Sequence, residues 1–161
     1  MKRCVIGIDP GLKGGIAWID DSGATSMQMP LVDGVVSLWG VLDALRSNYT
    51  KVCAGLVVIE ALGMRPGQSG VATMVRNWQR LEDACIFARV PYQIVQPKTW
   101  QKGIVPAGLP KSDRRKLTID AYCRYARAKW PHIFTKKSTH DGMAAALCMA
   151  EWGVRQLTTP A

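Results

Sequence analysis

The sequence predicts an α/β fold in which an antiparallel three-strand meander and two parallel strands form one mixed five-stranded sheet flanked by helices. Three observations lead to this prediction. Apolar runs with strand character come first, segments with helical periodicity then alternate with two more strand runs, and no linker or internal repeat divides the 161 residues. A chain of this length can bury one core, so we expect residues 1–161 to form a single domain.

The first three strands are predicted from apolar runs that turn residues separate. The runs CVIGID (4–9) and GGIAWIDD (14–21) flank a turn rich in proline and glycine, and ATSMQMP (24–30) alternates in polarity until it stops at a proline. Such short connections favour antiparallel pairing between neighbours. We therefore expect a meander at the start of the sheet.

The remainder of the chain alternates helices with two buried strands. Apolar residues recur at helical spacing for about 14 residues from Asp33, which we expect to be the N-cap of this helix. The runs CAGLVVIE (53–60) and YQIVQP (92–97) predict strands, and the apolar stripe of 71–86 predicts a helix between them. A last helix is expected over 140–157. Strands joined by helices pair in parallel, so these two strands extend the meander.

The charge of the chain favours a polyanionic partner. There are 21 Lys and Arg against 12 Asp and Glu, which gives a formal net charge of +9 and a pI of about 9.6. A protein of this charge gains affinity for nucleic acid by neutralising phosphates and releasing counterions. Many of the charges lie in 97–116, a basic segment that contains Trp100 and leads into a helix which Ser112 is placed to cap. We expect this segment to contact a phosphate backbone.

Composition excludes several other classes of protein. The five cysteines are odd in number and widely spaced, with no CxxC pair or Cys/His cluster, which argues against a zinc finger. The apolar start of the chain is interrupted by Asp9 and by glycines, and no later run approaches the roughly 18 apolar residues of a membrane span. We therefore expect a cytoplasmic protein with no membrane partner.

Three acidic residues lie where apolar periodicity predicts the ends of strands or helices. Asp9 closes the first strand, Glu60 closes the run LVVIE, and Asp141 begins the last helix. If the two strands are parallel neighbours, their carboxylates emerge side by side at one edge of the sheet. Carboxylates gathered without a Lys or Arg partner repel one another, and a hard divalent cation, Mg²⁺ or Mn²⁺, relieves that repulsion. A pair of such ions can activate water for phosphodiester hydrolysis, which points to a metal-dependent nuclease.

Simpler roles exist for two of these acids. Asp9 precedes a Pro-Gly pair and suits a turn, and Asp141 suits the N-cap of the last helix. Glu60 has little value as a turn or cap residue, so it is the strongest candidate of the three. A fourth carboxylate on the same face of the helix would fall one turn after Asp141, where this chain has Ala145. An alanine offers no ligand to a metal ion.

Together these segments resemble a known family. The strand IGIDPGLKGGIAWID, the strand VVIE, the basic QPKTW segment and the terminal HDGMAAALCMAEWG are similar to parts of the RuvC-like Holliday junction resolvases, especially the small bacteriophage versions, over essentially the whole chain. The resemblance implies an RNase H-like fold and a homodimer that makes paired nicks across a four-way DNA junction with Mg²⁺ or Mn²⁺. The expected function is therefore resolution of Holliday junctions and other branched DNA.

The resemblance also implies roles for individual residues. Asp9, Glu60 and Asp141 would be the metal ligands, and Lys111 falls near a basic position that assists at the scissile phosphate. His140 is a weaker candidate that also suits the start of a helix. Expected DNA contacts come from the loop 61–70, from the helix after it and from the basic segment: Arg65, Gln68, Arg76, Lys98, Lys102, Lys111, Arg114 and Arg115.

The family carries an acidic residue after the HDGxA segment, and its replacement by Ala145 leaves alternatives open. Either the alanine is an engineered change that allows DNA to be bound without being cut, or a natural chain manages with three acids; in both cases we expect junctions to be bound better than they are cleaved. The alternative function is a non-catalytic protein that binds branched DNA. An actin-like kinase, which IDPGLKGG also resembles, is excluded by chain length because such enzymes need a second domain. We expect the protein in the cytoplasm of a bacterial cell, encoded by a phage.

Overall fold

The computed structural model describes residues 4–49, 55–64, 69–134 and 140–158. Within these ranges the strands are β1 (Val5–Asp9), β2 (Gly15–Asp20), β3 (Gly23–Gln28), β4 (Leu31–Val32), β5 (Val35–Val36), β6 (Leu56–Glu60) and β7 (Tyr92–Val95). The helices are α1 (Leu38–Tyr49), α2 (Val71–Ala88), α3 (Pro97–Trp100), α4 (Arg114–Lys129) and α5 (Asp141–Thr158).

Five strands form one mixed sheet in the order β3-β2-β1-β6-β7. The meander of β1, β2 and β3 is antiparallel, whereas β6 pairs in parallel with both β1 and β7. The predicted mixed five-stranded sheet is therefore confirmed. In the parallel pair of β1 and β6, Ile8 lies opposite Ile59, so both strands end at the same edge of the sheet.

A short hairpin replaces the predicted start of the first helix. β4 and β5 pair with each other, and between them Asp33 and Gly34 have φ angles of 50° and 74°. Positive φ at both central residues is typical of a type I′ turn, for which Asp-Gly is a preferred pair. The prediction that Asp33 caps a helix is therefore wrong. α1 begins at Leu38 instead, and the hydroxyl of Ser37 accepts a hydrogen bond from the amide of Gly40 at 3.0 Å.

The helices cover both faces of the sheet. α1 and α2 pack against one face, where Ile6, Ile8 and Ile59 of the strands form a core with Leu45 and Leu81 of the helices. α4 and α5 cover the other face, towards which the alternate strand residues point. In the described part of the chain, no helix has both the length and the apolarity that crossing a membrane requires.

The side of α5 that faces the sheet makes an exceptionally close contact with it. A Cβ atom on Gly7 would lie 2.0 Å from the carbonyl oxygen of Ala146, and one on Gly142 would lie 2.3 Å from that of Lys13. Gly14 and Gly142 also form an isolated parallel bridge. We call the contacts of Gly7, Gly14 and Gly142 the glycine seam. Because only glycine allows main chains to approach so closely, the seam holds the start of α5 directly against the loop after β1.

A buried ion cluster joins α4 to α5. Glu151 of α5 is only 7% exposed, and it accepts hydrogen bonds from the Tyr125 hydroxyl at 2.9 Å and from Arg155 Nη2 at 2.6 Å. It also pairs with Lys129 Nζ. Burial raises the pKa of Glu151, but the hydrogen bonds from these three partners outweigh burial and hold the pKa below its ordinary value. The cluster therefore fastens α5 to α4 through a charged carboxylate.

Candidate active site

Three acidic side chains line one open cleft at the carboxyl ends of β1 and β6. Asp9 is the last residue of β1 and Glu60 the last of β6, and the parallel register brings these strand ends together. Asp141 is the first residue of α5, which the glycine seam holds beside the loop after β1. All three line a cleft with a volume of about 640 Å³. The structure thus brings together the three acids that the sequence singled out.

The acids of the cleft lie close enough to affect one another's ionisation. Among the described residues the ion pairs involve Glu151, and none of them involves an acid of the cleft. The pKa of Asp9 is raised to about 8, first by burial and then by the charges of Glu60 and Asp141. Burial also raises the pKa of Tyr122, which lines the same cleft, and the charge of Asp9 is the next cause. A nearby cation would strongly stabilise the ionised form of a carboxyl group with so high a pKa.

Two tryptophans hold Glu60. Trp100 Nε1 donates a hydrogen bond to Glu60 Oε2 at 2.7 Å, and Trp78 Nε1 donates one to the Glu60 carbonyl oxygen at 2.9 Å. Burial raises the pKa of Glu60, and the hydrogen bond from Trp100 lowers it in part. The glutamate is therefore oriented through both its side chain and its main chain.

Sequence reasoning missed this support for Glu60. Trp100 is the last residue of α3, a single helical turn that was predicted only as part of a basic segment, and it is 2% exposed. Pro97 begins the turn, and the fixed φ of proline suits the first position of a helix. A proline two residues after the end of a strand, with a tryptophan three residues later, was the available signal.

His140 and Asp141 stabilise the start of α5. Asp141 Oδ1 accepts a hydrogen bond from the amide of Gly142 at 3.1 Å, and His140 Nδ1 accepts one from the amide of Met143 at 3.3 Å. His140 therefore has the capping role expected of a residue at a helix start. Because Nδ1 is the acceptor, the neutral ring carries its proton on Nε2.

The donor set of the cleft suits a hard divalent cation in its chemistry. Its three carboxylates offer only oxygen ligands, and a cation would relieve the repulsion that contributes to the raised pKa of Asp9. In the part of the chain that the structure describes, however, no three His, Cys, Asp or Glu side chains are grouped so that they could hold a metal ion as they stand. Glu60 Oε2 is engaged by Trp100. A cation held by all three acids at once would therefore require these side chains to converge further.

Ala145 lines the same cleft. It lies one helical turn after Asp141 and is 4% exposed. The position considered for a fourth acid is therefore at the site, and its methyl group contributes apolar surface there.

The basic residues expected to contact DNA fall into several groups. Arg115 lines the acidic cleft, and so does Lys13, which the sequence did not single out. Lys111 is exposed but is not among the residues that line the cleft, and its role at a phosphate stays a prediction. Arg76 is exposed on α2. The other five are divided between a second cavity, lined by Lys98, Lys102 and Arg114, and positions outside the described residues, Arg65 and Gln68.

Comparison with known proteins identifies the architecture. No protein-family model and no curated protein matches the chain. Among solved structures, RuvC of Thermus thermophilus in complex with a Holliday junction substrate aligns with a TM-score of 0.60 and 15% sequence identity, covering 96% of each chain. A second Thermus thermophilus RuvC structure aligns with a TM-score of 0.56 and 14% identity, covering 96% of this chain and 97% of that one.

The chain has the RuvC fold. The RNase H-like architecture that the sequence resemblance implied is thereby confirmed. At this level of identity the likeness establishes the architecture alone.

Proposed function

We propose that this protein is a structure-selective endonuclease that cuts Holliday junctions and other branched DNA with the help of Mg²⁺ or Mn²⁺. The observation that carries the proposal is the convergence of Asp9, Glu60 and Asp141 on one cleft of a RuvC fold. The net charge of +9 supports a nucleic-acid substrate.

The three acids would hold the cation, and its chemistry would be to activate water and to stabilise the leaving oxygen of the phosphodiester. Asp9 is central, because both other acids raise its pKa. Glu60 is oriented by Trp100, and Asp141 by the start of α5. Lys13 and Arg115 line the cleft and would attract the phosphate that the acids alone repel, while Lys111 stays a candidate for contact at the scissile phosphate.

A homodimer belongs to this proposal, because paired nicks across a four-way junction need two active sites. α2 offers a surface for it. Val75 and Ile86 are 41% and 56% exposed and lie three turns apart on one side of the helix, and the neighbouring Phe87 is 59% exposed. An apolar helix face of this kind commonly pairs with another subunit. Light scattering of the purified protein at several concentrations tests whether it is a dimer.

Ala145 favours a second candidate function, a protein that binds branched DNA without cutting it. The alanine removes a possible ligand from the cleft, and the remaining acids do not form a finished metal site as they stand. Both functions share the fold and the substrate. They differ in whether a divalent cation leads to strand cleavage.

The test is an assay on a synthetic four-way junction labelled on each strand. The proposal expects gel-shifted complexes in EDTA and symmetric nicks after Mg²⁺ or Mn²⁺ is added, with slow turnover because of Ala145. Asp9→Asn should remove the nicks and retain the shift. Asp43→Asn, an exposed aspartate of α1, is the matched control and should cut normally. A shift without nicks under any divalent cation would support the binding protein, and absence of both would refute both functions.

A further inference from the structure

A second cavity lies beside the acidic cleft. It has a volume of about 620 Å³ and is built from the segment between α3 and α4 together with the first turns of α4. Gln101 and Thr118 line both this cavity and the acidic cleft, so the two are adjacent. We call the second cavity the basic pocket, after Lys98, Lys102 and Arg114 in its lining.

The basic pocket combines an apolar floor with a cationic rim. Val105 and Leu109 are half-buried and line its floor, whereas its three cations are exposed. A channel that only follows a DNA backbone needs positive charge but no apolar floor, whereas a site for an unpaired nucleotide needs both.

Local hydrogen bonds fix the position of the basic pocket relative to the acidic cleft. Gln101 follows Trp100 directly, and its carbonyl oxygen accepts hydrogen bonds from the amides of Ile104 and Val105, both at 3.0 Å. Trp100 donates to Glu60, so one short stretch of chain orients a catalytic candidate and begins the pocket. On the opposite side, Arg114 Nη2 donates to the Leu109 carbonyl oxygen at 3.2 Å and closes the segment onto α4.

We propose that the basic pocket receives an unpaired nucleotide of the DNA strand that enters the acidic cleft. Its base packs on Val105 and Leu109, and the phosphates on either side of it are held by Lys98, Lys102 and Arg114. This inference rests on the proposed function and makes it more specific: the preferred substrate is branched DNA in which a base next to the cut site can leave the stack. A fully paired duplex can contact the cations of the rim, but it places no base against Val105 and Leu109.

The experiment places aminopurine, a fluorescent adenine analogue that brightens when it is unstacked, at successive positions around the branch point of a four-way junction. Fluorescence and anisotropy are recorded on binding in EDTA, so that cleavage does not interfere. We expect a rise in fluorescence at one or two positions beside the cut site and none at positions within the arms. Val105→Trp fills the floor without changing charge, and it should remove the rise and weaken junction binding by about tenfold.

Matched variants separate the floor from the rim. Lys102→Ala should weaken binding to junction and duplex alike and lower the slope of log affinity against log salt by about 1. Arg124→Ala removes an exposed α4 charge outside both cavities, and Ala128→Trp adds a bulky exposed side chain to the same helix; both should bind normally. Ala107→Trp fills the pocket from an exposed lining position and repeats the test if Val105→Trp fails to fold.

The outcomes distinguish the inference from the proposed function. Two outcomes would refute the nucleotide pocket and leave the nuclease proposal intact, provided that the junction is bound and cut. In the first, aminopurine fluorescence does not rise at any position. In the second, it still rises with both Val105→Trp and Ala107→Trp. If Lys102→Ala weakens junction binding while Val105→Trp and Ala107→Trp do not, the cavity contacts only the DNA backbone and the inference is overturned. If the protein neither binds nor cuts junctions, the proposed function itself fails.

Discussion

The sharpest consequence of the acidic cleft is that Asp9 should destabilise the protein at neutral pH when no cation is present. Its pKa is about 8 in the folded protein against an ordinary value of 3.8. Between these values the folded state keeps a proton that the unfolded chain releases, so stability falls as pH rises from about 4 to 8 and is constant above that. The full pKa shift corresponds to a loss of about 6 kcal/mol in the free energy of unfolding. Because the cleft is open to water, we expect the measured loss to be about 2–3 kcal/mol.

Thermal melting with and without Mg²⁺ measures this penalty. At pH 8 the Asp9→Asn protein should melt about 5–10 °C above the wild type, since the amide carries no charge to bury. The two proteins should converge in melting temperature as pH falls below the ordinary pKa of 3.8, where the wild-type carboxyl becomes protonated in the unfolded state as well as in the folded state. Added Mg²⁺ should raise the melting temperature of the wild type at pH 8 and leave that of Asp9→Asn unchanged.

Asp43→Asn is the control for this experiment, because Asp43 is exposed on α1 and should show neither effect. The comparison uses the difference in melting temperature between variant and wild type at each pH, so that the contributions of the other titrating groups cancel. If Asp9→Asn is no more stable than the wild type at pH 8, or if both proteins lose stability equally between pH 4 and 8, the account of the cleft as an uncompensated acidic site is refuted.

Three further predictions follow from particular contacts. Trp100→Phe keeps an aromatic ring but removes the hydrogen bond to Glu60, so the pKa of Glu60 should rise and the pH profile of metal-dependent cleavage should move upward; an unchanged profile would mean that the bond does not tune the acid. Ala145→Asp should raise Mg²⁺-dependent cleavage while lowering stability in EDTA, since it adds a carboxylate to a position only 4% exposed, and an unaltered cleavage rate would remove the fourth-ligand idea. Glu151→Gln should lower the free energy of unfolding by about 2 kcal/mol in urea titrations without changing junction affinity, because it removes the negative charge that pairs with Lys129 and Arg155.

The sequence predicted those parts of the fold that depend on periodicity. The apolar runs that end at Asp9 and Glu60 gave both strands and the edge at which they meet, because strand alternation and parallel pairing follow from local pattern and connection length. The hairpin at Asp33 and Gly34 was missed since Val35, Leu38 and Leu42 also fit a helical spacing, although the Asp-Gly pair was a stronger local signal.

The site was predicted less completely than the fold. The three acids could be found because each stands at the end of an apolar segment. The hydrogen bond between Trp100 and Glu60 joins residues 40 positions apart, and no local pattern specifies such a contact. For the same reason the sequence could not rank Lys13 and Arg115, which line the cleft, above Lys111, which does not.

The glycine seam bears on how this protein would choose among ions. Asp9 and Asp141 are both attached to backbone that touches other backbone directly, so the spacing of their anchor points has almost no slack. Glu60 lies outside the seam and has the longer side chain, and its carboxylate is held by a hydrogen bond from Trp100, which can break more easily than the main-chain contacts of the seam can shift. We expect discrimination between Mg²⁺ and the larger Mn²⁺ to depend on the side chain of Glu60. Glu60→Asp, which shortens this side chain by a methylene, should alter metal preference more than any change at Asp9 or Asp141.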